Sequence, residues 1–269
     1  MIKLLAIDLD GTLLNGFHEI STENKAAIKR AQKQGTKVVI ATGRPEQLCK
    51  SIVKELQIND DIIMSNGGVI GHPFKTEAVL SRTLNEVIVQ EVVDYCEKNS
   101  IIYLIYTAAA IISRPNFRVG FFQNRNKNLP EDEKVVFQDV ETVENLYQVK
   151  PNKILIVEEN IEKLKKAKLF FENMKNVSIV QSQRTFIDVS PDNVSKGTAL
   201  KAYAEYLGLN QDEVAAIGDH DNDVAMLKYA GTAIAMENAT LDCLKVANYV
   251  TLSNNSNGVA YAINKYVIK

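Results

Sequence analysis

Short runs of apolar and β-branched residues alternate with longer amphipathic stretches at both ends of the chain. At the N-terminal end the pattern predicts, in order, a strand KLLAID, a helix STENKAAIKRAQKQG capped by Ser21 and closed by Gly35, a strand TKVVIAT, a helix RPEQLCKSIVKELQ with Pro45 in its first turn, and a strand DIIMSN. From Ser195 it predicts helix KGTALKAYAEYLGL, strand EVAAIG, helix NDVAMLKYA, strand TAIAM, helix ATLDCLKVA, strand YVTL and helix GVAYAINKYV. This alternation is typical of parallel strands joined by crossover helices, buried on both faces.

The middle of the chain follows a different pattern. It predicts a helix LNEVIVQEVVDYCEKN, neighbouring strands IIYLIYT and AAIIS, a polar irregular stretch, a strand KILIVE, a helix NIEKLKKAKLFFENMK, and antiparallel strands VSIVQS and TFIDVS. We therefore predict an α/β protein in which residues 1–82 and 190–269 form a doubly wound, Rossmann-like parallel-sheet core. Residues 83–189 are predicted to form an inserted α+β domain.

Composition favours small-molecule partners. The chain has 269 residues, with 31 Lys and Arg against 33 Asp and Glu, so no strong field favours nucleic acid or an anionic membrane. Cys49, Cys96 and Cys243 are far apart, which argues against a disulfide framework or a zinc site. Asp8 interrupts the first apolar run too early for a signal peptide, and no apolar stretch reaches membrane-spanning length. We expect a cytoplasmic protein, a monomer or weak homo-oligomer.

The stretch DLDGT follows the first predicted strand and carries two carboxylates. Asp8 ends the strand, Asp10 lies in the turn, Gly11 permits tight backbone geometry, and Thr12 can hydrogen-bond back to the loop. An Asp-Gly turn would explain Asp10 and Gly11 but not Asp8. A carboxylate at a buried strand end costs free energy unless a cation or hydrogen bonds compensate it.

Two further strand-to-helix junctions carry groups suited to an anion. In IATGR, Thr42 and Gly43 precede a helix whose free N–H groups attract negative charge, although many α/β proteins have such a junction for geometric reasons. In NVSKGTAL, Ser195 can cap a helix that begins with Lys196 and Gly197. A cation at a helix N-terminus is unfavourable and Gly197 costs about 1 kcal/mol relative to alanine, so this choice favours function over stability.

The stretch AAIGDHDNDVAML places acids after another strand, at Asp219, Asp221 and Asp223. Mg²⁺ prefers such oxygen ligands. An EF-hand loop would need glycine and glutamate where this chain has Val224 and Ala230, so a calcium loop is excluded. Helix capping explains one acid, but not three.

Together these junctions supply what phosphoryl transfer requires: a nucleophilic carboxylate, a second carboxylate for proton transfer, anion donors, a lysine and a metal-binding acid. Because parallel strands place ligands outside their carboxyl ends, we expect the junctions to form one site.

The motifs DLDGTLL, ATGR, SKGTAL and GDHDND, in this order, resemble those of the haloacid dehalogenase superfamily of aspartate-nucleophile phosphatases. The large insertion between the second and third motifs, and the tail YVTLSNNSNGVAYAI, are similar to its Cof-like sugar-phosphatase group. The resemblance spans the whole chain and implies that the inserted domain is a cap that determines substrate specificity.

The resemblance implies that Asp8 attacks phosphorus and forms an aspartyl-phosphate. Asp10 would protonate the leaving alcohol and then activate water. The Asp8 and Asp219 carboxylates and the Asp10 backbone carbonyl would hold Mg²⁺. The groups implied to bind phosphate are the Leu9 backbone, Thr42, the Gly43 N–H, Lys196 and Asn222. Asp223 would orient Lys196 or a metal-bound water.

Other positions receive no role in this prediction. His220 and Asp221 lie where the group is variable, and Glu237 stands where it usually has a small glycine. A carboxylate at Glu237 would either alter the approach to the site or point outward. The stretch SNGG, with Asn66 and Gly67, resembles a segment near the substrate, but Asn-Gly is also a common hairpin turn, so we leave it outside the site.

We expect Mg²⁺-dependent hydrolysis of phosphate monoesters of small metabolites, with sugar phosphates as the favoured substrate class. The alternatives are pyridoxal phosphate or flavin mononucleotide as substrate, a phosphomutase, and a phospho-ligand sensor without turnover. A signalling receiver domain ranks last because it takes its acid pair and its nucleophile from different strands. The candidates for contact with the leaving group are Tyr106, Arg114, Asn116 and Arg184.

Overall fold

Strands and helices alternate along most of the chain. The computed structural model describes residues 1–75, 77–115 and 129–268, without the side chains of residues 182 and 183. Within these ranges the strands are β1 (Leu4–Ile7), β2 (Lys37–Ile40), β3 (Ile62–Met64), β4 (Val69–Gly71), β5 (Leu80–Ser81), β6 (Ile102–Tyr106), β7 (Ile111–Ser113), β8 (Phe137–Asp139), β9 (Lys153–Val157), β10 (Val177–Gln183), β11 (Phe186–Pro191), β12 (Val214–Gly218), β13 (Thr232–Ala235) and β14 (Tyr249–Val250).

The α-helices are shorter than the predicted helical stretches. Those in the described ranges are α1 (Thr22–Lys33), α2 (Lys50–Glu55), α3 (Glu86–Lys98), α4 (Glu144–Tyr147), α5 (Ile161–Glu172), α6 (Lys196–Tyr206), α7 (Val224–Tyr229), α8 (Leu241–Val246) and α9 (Gly258–Ala262). A π-helical turn, Ile263–Val267, continues α9. Among these helices, none has the length and apolar character that crossing a lipid bilayer requires.

A parallel sheet with strand order β14-β13-β12-β1-β2 forms the centre of one compact unit. Its register places Ile7 of β1 opposite Ile217 of β12 on one side and Ile40 of β2 on the other. A parallel bridge between Ala41 and Ile63 connects β2 to β3, which forms an antiparallel hairpin with β4. The carboxyl ends of β1, β2 and β12 therefore lie side by side at one edge.

Helices cover both faces of this sheet. On one face, Leu4 and Ala6 of β1 pack with Leu200 and Tyr203 of α6 and Met226 of α7. Neighbouring residues along a strand point to opposite faces. On the other side, α1 packs against β2 and against α9. The predicted doubly wound α/β core is confirmed.

A second sheet, of order β10-β11-β9-β6-β7-β8, forms the second compact unit. The predicted antiparallel pair β10 and β11 is present, and only β7 and β8 run parallel among its described strand pairs. Tyr103 and Ile154 on one face pack against Val92 of α3 and Phe171 of α5. This is an α+β unit, as the fold prediction requires.

The chain divides into Met1–Arg44, Ser51–Leu80 and Ser195–Lys269 for the first unit, and Pro45–Lys50 and Ser81–Val194 for the second. The sequence prediction placed Pro45–Lys50 in the core and in one continuous helix. In the structure a 3-10 turn, Glu46–Leu48, precedes α2, and Leu48 packs with residues of the second sheet. Helical periodicity cannot show where a chain passes from one unit to another, because it does not depend on the packing partner. That the second unit acts as a cap stays a prediction.

Candidate active site

Asp8 and Asp219 occupy equivalent positions at the carboxyl edge of the parallel sheet. Asp8 follows β1 and Asp219 follows β12, and the two strands pair in parallel up to Ile7 and Ile217. The Asp8 N–H donates to the Ile217 carbonyl at 3.0 Å, which continues the pairing by one residue. The paired strands thus hold both carboxylates at one edge, and both side chains are buried.

Lys196 joins this group from the start of α6. Ser195 caps the helix by accepting from the Thr198 N–H, and the Thr198 hydroxyl accepts in return from the Ser195 N–H. The Lys196 ammonium donates to Asp8 Oδ1 at 2.5 Å and to Asp223 Oδ1 at 2.7 Å. Burial disfavours the charged ammonium, but the Asp223 and Asp8 carboxylates outweigh it and raise the pKa of Lys196 above its usual value. Lys196 is therefore a buried cation between two acids.

Gly197 has a packing role that the sequence does not reveal. A Cβ at this position would overlap the backbone of Ala225, at the start of the helix that follows the acid-rich stretch. The residue therefore allows α6 to approach α7 closely, and this close approach compensates its low helix propensity. From the sequence alone, Gly197 is expected to lower stability. That expectation is incomplete, because it leaves out the close packing of the two helices that the glycine allows.

Asp223 organises the loop after β12. Its Oδ2 accepts from the N–H groups of Asp219 and His220, both at 3.0 Å, while its Oδ1 accepts from Lys196. The predicted contact between Asp223 and Lys196 is therefore present, although the role assigned to it stays a prediction. Asp221 lies apart and accepts from the Thr240 hydroxyl at 2.9 Å.

Thr12 and Gly11 hold Asp219 in place. The Thr12 hydroxyl donates to Asp219 Oδ1 at 2.6 Å, rather than back to its own loop as the sequence suggested. Gly11 has φ +88°, and a Cβ there would overlap Asp219 Oδ2. The glycine thus serves both a turn that favours positive φ and the close approach of a carboxylate.

The surroundings of both strand-end acids disfavour their ionisation. Burial, followed by the Asp223 charge, raises the pKa of Asp8 well above its ordinary value, against the opposing effect of Lys196. Burial also raises the pKa of Asp219, with the Thr12 hydrogen bond acting in the opposite direction. One ammonium is too little to balance these carboxylates.

The Asp10 side chain lies outside this buried group. Its carboxylate is 49% exposed and pairs with the Arg44 guanidinium. The sequence prediction has the backbone carbonyl of Asp10, not its side chain, bind Mg²⁺. The direction of the side chain therefore does not affect the predicted metal site. Leu9 is buried, and its carbonyl accepts from the N–H groups of Leu13 and Leu14.

Thr42, Gly43 and Asn222 meet at Asn66. The Asn222 side-chain amide donates to Asn66 Oδ1 at 3.0 Å, and a Cβ on Gly43 would lie 3.0 Å from the same oxygen. Thr42 is buried, and its hydroxyl accepts from the Arg44 N–H. Asn66, with φ 54°, forms the hairpin turn between β3 and β4. The segment SNGG is thus both a turn and a neighbour of the predicted phosphate-binding residues. Its resemblance to a family segment near the substrate was the sequence signal that could have placed Asn66 in the predicted site.

The C-terminal tail supports the loop after β1. The Asn238 amide donates to the Gly11 carbonyl at 2.9 Å, and the Asn254 amide donates to the Leu14 carbonyl at 2.9 Å. Glu237 accepts from the Ser253 N–H at 3.2 Å, so its carboxylate helps to hold the tail. No local sequence pattern predicts these contacts.

The candidate leaving-group contacts belong to the second unit. Tyr106 is buried, with the Lys153 ammonium 5.1 Å from its ring centroid. Arg114 donates to the Glu141 carbonyl and forms an ion pair with Glu97 at 3.4 Å. Arg184 is exposed. Asn116 lies outside the described residues.

The carboxylates of Asp8, Asp219 and Asp223 lie close enough to share a cation, with ligand atoms within 4.8 Å of one another. With Lys196 charged and all three carboxylates ionised, the four side chains would carry a net charge of −2, which a divalent ion would neutralise. Carboxylate oxygens are the ligands that Mg²⁺ prefers. The residues therefore fit the predicted metal, and Asp223 joins Asp8 and Asp219 as an acid beside it.

A family model described as haloacid dehalogenase-like hydrolase matches residues 5–263. The chain belongs to this family. Among relatives of this haloacid dehalogenase-like hydrolase, Phosphatase YwpJ of Bacillus subtilis is 33% identical over 280 residues, covering 97% of this chain and 98% of the relative. The 5-amino-6-(5-phospho-D-ribitylamino)uracil phosphatase YwtE of the same organism is 32% identical over 284 residues, covering 98% of each.

A solved structure shares the fold along the whole chain. The crystal structure of a haloacid dehalogenase-like hydrolase from Bacteroides thetaiotaomicron superimposes with a TM-score of 0.87 at 30% identity, covering 98% of this chain and 99% of that one. The predicted family and the predicted enzyme class, a phosphoric monoester hydrolase of this superfamily, are confirmed.

Proposed function

We propose that this haloacid dehalogenase-like phosphatase hydrolyses phosphate monoesters of small metabolites with Mg²⁺, through an aspartyl-phosphate on Asp8. The observation that carries the proposal is the buried contact of Lys196 with Asp8 and Asp223, beside Asp219. Asp8 accepts a hydrogen bond from Lys196, which fixes the direction of its carboxylate. A nucleophile that is held in position reacts without first losing its rotational freedom.

In the first step, an Asp8 carboxylate oxygen attacks phosphorus, and the bond between phosphorus and the leaving oxygen breaks. The electron pair of that bond goes to the leaving oxygen, which takes a proton from Asp10. Transfer of this proton as the bond breaks avoids release of an alkoxide. Asp10 suits the task because its side chain is half exposed at the turn after β1.

In the second step, water attacks the phosphorus of the aspartyl-phosphate, and Asp10 removes a proton from that water. The bond between Asp8 and phosphorus breaks, so that inorganic phosphate leaves and the Asp8 carboxylate is restored. Division into two steps replaces one difficult displacement by two easier ones.

The phosphoryl oxygens need positive charge and hydrogen-bond donors around them. Asp8, Asp219 and the Asp10 carbonyl would hold Mg²⁺, which when bound would supply charge that offsets the negative charge of the phosphoryl group. The groups proposed to donate to the oxygens are the Leu9 backbone, Thr42, the Gly43 N–H, Lys196 and Asn222. Asp223 is proposed to keep Lys196 charged and directed toward Asp8, and the hydrogen bonds of Lys196 to both carboxylates support this role.

We propose a small phosphorylated metabolite as substrate, with sugar phosphates as the favoured class. The YwtE relative is named for a substrate with a phosphorylated ribityl chain, which agrees with this class. The near balance of acidic and basic residues gives no reason to expect a nucleic acid partner. Action in the cytoplasm, as a monomer or weak homo-oligomer, belongs to the same proposal.

Release of inorganic phosphate from a panel of phosphorylated metabolites, with Mg²⁺ present and with Mg²⁺ removed by chelation, tests the proposal. We expect Mg²⁺-dependent release by the wild type and a loss of about 10³-fold or more in Asp8→Asn. Asp242→Asn is the matched control, because Asp242 is an exposed carboxylate paired with Lys245.

Retained release by Asp8→Asn, in protein free of other phosphatases, would contradict the proposal. Formation of a phosphorylated isomer without phosphate release would indicate a phosphomutase. Binding of metabolites without either product would indicate a sensor.

A further inference from the structure

Arg44 holds the Asp10 carboxylate by both of its oxygens. Arg44 Nε donates to Asp10 Oδ2 at 2.9 Å, and Arg44 Nη2 donates to Asp10 Oδ1 at 2.6 Å. Such a two-point contact fixes the plane of the carboxylate as well as its position, which a single hydrogen bond does not. The contact is only partly exposed, because the Arg44 side chain is 20% accessible.

The backbone of Arg44 is itself fixed within the core. The Arg44 N–H donates to the Thr42 hydroxyl at 3.1 Å, and the Arg44 carbonyl accepts from the Ser65 N–H at 3.0 Å. Arg44 therefore extends from the junction that also carries Thr42 and Gly43, and reaches across to the turn after β1. One residue thus connects the proposed phosphate-binding junction with the proposed proton donor.

We propose that Arg44 is a positioning residue that orients Asp10 for proton transfer to and from the leaving oxygen. This inference rests on the proposed function and extends it to a residue outside the predicted site. Asp10 is half exposed and lies on a turn, so without the guanidinium its side chain would rotate among several conformers. A small misplacement of a reacting group is enough to cost about 100-fold in rate.

The proton balance specifies what Arg44 does. Asp10 gives a proton to the leaving oxygen in the first step and takes one from water in the second, and Arg44 neither gains nor loses a proton. Transfer uses one carboxylate oxygen, so the other keeps the contact with Arg44 during each step.

The leaving group provides the test. An alkyl phosphate releases a poor leaving group that needs a proton, whereas p-nitrophenyl phosphate releases a phenolate that departs without one. We expect Arg44→Ala to lower kcat/KM by about 10- to 100-fold for an alkyl phosphate that the wild type hydrolyses. For p-nitrophenyl phosphate we expect kcat/KM, which reports the steps up to release of the leaving group, to change by less than about 3-fold, and this retained reactivity also shows that the variant is folded. The value of kcat should fall for both substrates wherever the second step limits turnover, because Asp10 also activates the water.

Three comparisons separate positioning from other roles. Arg44→Lys should fall between the wild type and Arg44→Ala, since an ammonium cannot make the two-point contact. In an Asp10→Asn background, Arg44→Ala should have no further effect on the alkyl substrate. Arg30→Ala is the matched control, because the Arg30 guanidinium donates to Asn264 instead.

An equal loss of kcat/KM on both substrates, or a loss of kcat/KM that persists in the Asp10→Asn background, would overturn the inference and indicate that Arg44 binds the phosphoryl group directly. Unchanged kcat/KM for the alkyl substrate in Arg44→Ala, alongside an impaired Asp10→Asn, would also overturn it, while leaving the proposed function intact. Full activity of Asp10→Asn on the alkyl substrate would instead contradict the proposed role of Asp10.

Discussion

The Thr12 hydroxyl donates to Asp219 Oδ1 at 2.6 Å, joining the turn after β1 to the end of β12. Both side chains are buried, so this hydrogen bond is shielded from water. It fixes one oxygen of Asp219 and leaves the carboxylate with a defined direction toward Asp8 and Asp223. If Asp219 holds Mg²⁺ as proposed, Thr12 contributes to metal affinity without touching the ion.

Replacement of Thr12 by valine, which has nearly the same shape, tests this contact. We expect Thr12→Val to weaken activation by Mg²⁺ about 10- to 100-fold, because Asp219 loses the donor that orients it. Thr12→Ser keeps the hydroxyl and should stay within about 3-fold of the wild type. The measurement is phosphate release as a function of Mg²⁺ concentration. Equal Mg²⁺ dependence in Thr12→Val and wild type would show that Asp219 needs no such support.

Asn66 offers a second test, beside the residues proposed to bind phosphate. Its amide oxygen accepts from Asn222, and its backbone has φ 54°. Asn66→Gly suits this backbone but loses the side chain, so the Asn222 amide becomes free to rotate. We expect KM for a phosphate ester to rise about 3- to 10-fold, in line with the loss of one hydrogen bond.

Asn176→Gly is the control for the Asn66 test. Asn176 also has positive φ but is exposed in the second unit, so the replacement changes backbone freedom alone. A similar rise of KM in both variants would attribute the effect to the backbone rather than to the Asn222 contact.

The strand-end acids and Lys196 could be predicted from the sequence because each breaks a strong local pattern. A carboxylate directly after a buried apolar strand, as at Asp8, and a lysine in the first turn of a capped helix are unfavourable unless partners compensate them. The topology of parallel strands then brings such positions to one edge. In the structure Asp8, Asp219, Asp223 and Lys196 do lie together.

Contacts that depend on tertiary placement could not be predicted in the same way. The pairing of Asn66 with Asn222 exists because the β3–β4 hairpin is joined to β2 through the bridge between Ala41 and Ile63. Likewise, no local rule gives the direction of the Asp10 side chain, which Arg44 determines. Local patterns therefore locate the candidate reactive groups, whereas the residues that orient them can be identified only from the fold.

Glu46 provides a prediction about pH and stability. Its Oε2 is buried with no hydrogen-bond partner among the described residues, and burial raises the pKa of Glu46 to about 7, with Lys50 opposing the shift. The folded protein therefore binds this proton more tightly than the unfolded chain does. Stability falls as pH rises from the ordinary glutamate pKa to about 7, and the loss is complete above that value.

Glu46→Gln removes this ionisation while keeping the shape of the side chain. We expect the variant to unfold at a higher temperature than the wild type at pH 8, and with little difference at pH 4. Glu131→Gln, at an exposed glutamate of the second unit, is the control and should shift the midpoint little at either pH. The measurement is the midpoint of thermal unfolding at both pH values. The same difference between variant and wild type at pH 4 and pH 8 would contradict the buried ionisation.

Lys196 gives a prediction about charge balance in the site. The ammonium is almost fully buried and is shared by Asp8 and Asp223. Lys196→Met keeps most of the apolar stem but leaves two buried carboxylates without their counter-charge. Removal of one partner from a buried ion pair costs about 3–5 kcal/mol, so we expect a fall of this size in the free energy of unfolding and loss of phosphatase activity.

The double variant Lys196→Met/Asp223→Asn distinguishes charge from packing. Asp223→Asn removes one of the uncompensated carboxylates while keeping an oxygen that can accept from the Asp219 N–H. If unbalanced charge causes the instability, the double variant should be more stable than Lys196→Met alone, although equally inactive. The measurement is the free energy of unfolding in denaturant for both single variants and the double variant. If the two single losses simply add in the double variant, the cost of Lys196→Met comes from packing, and the charge balance proposed for the site is wrong.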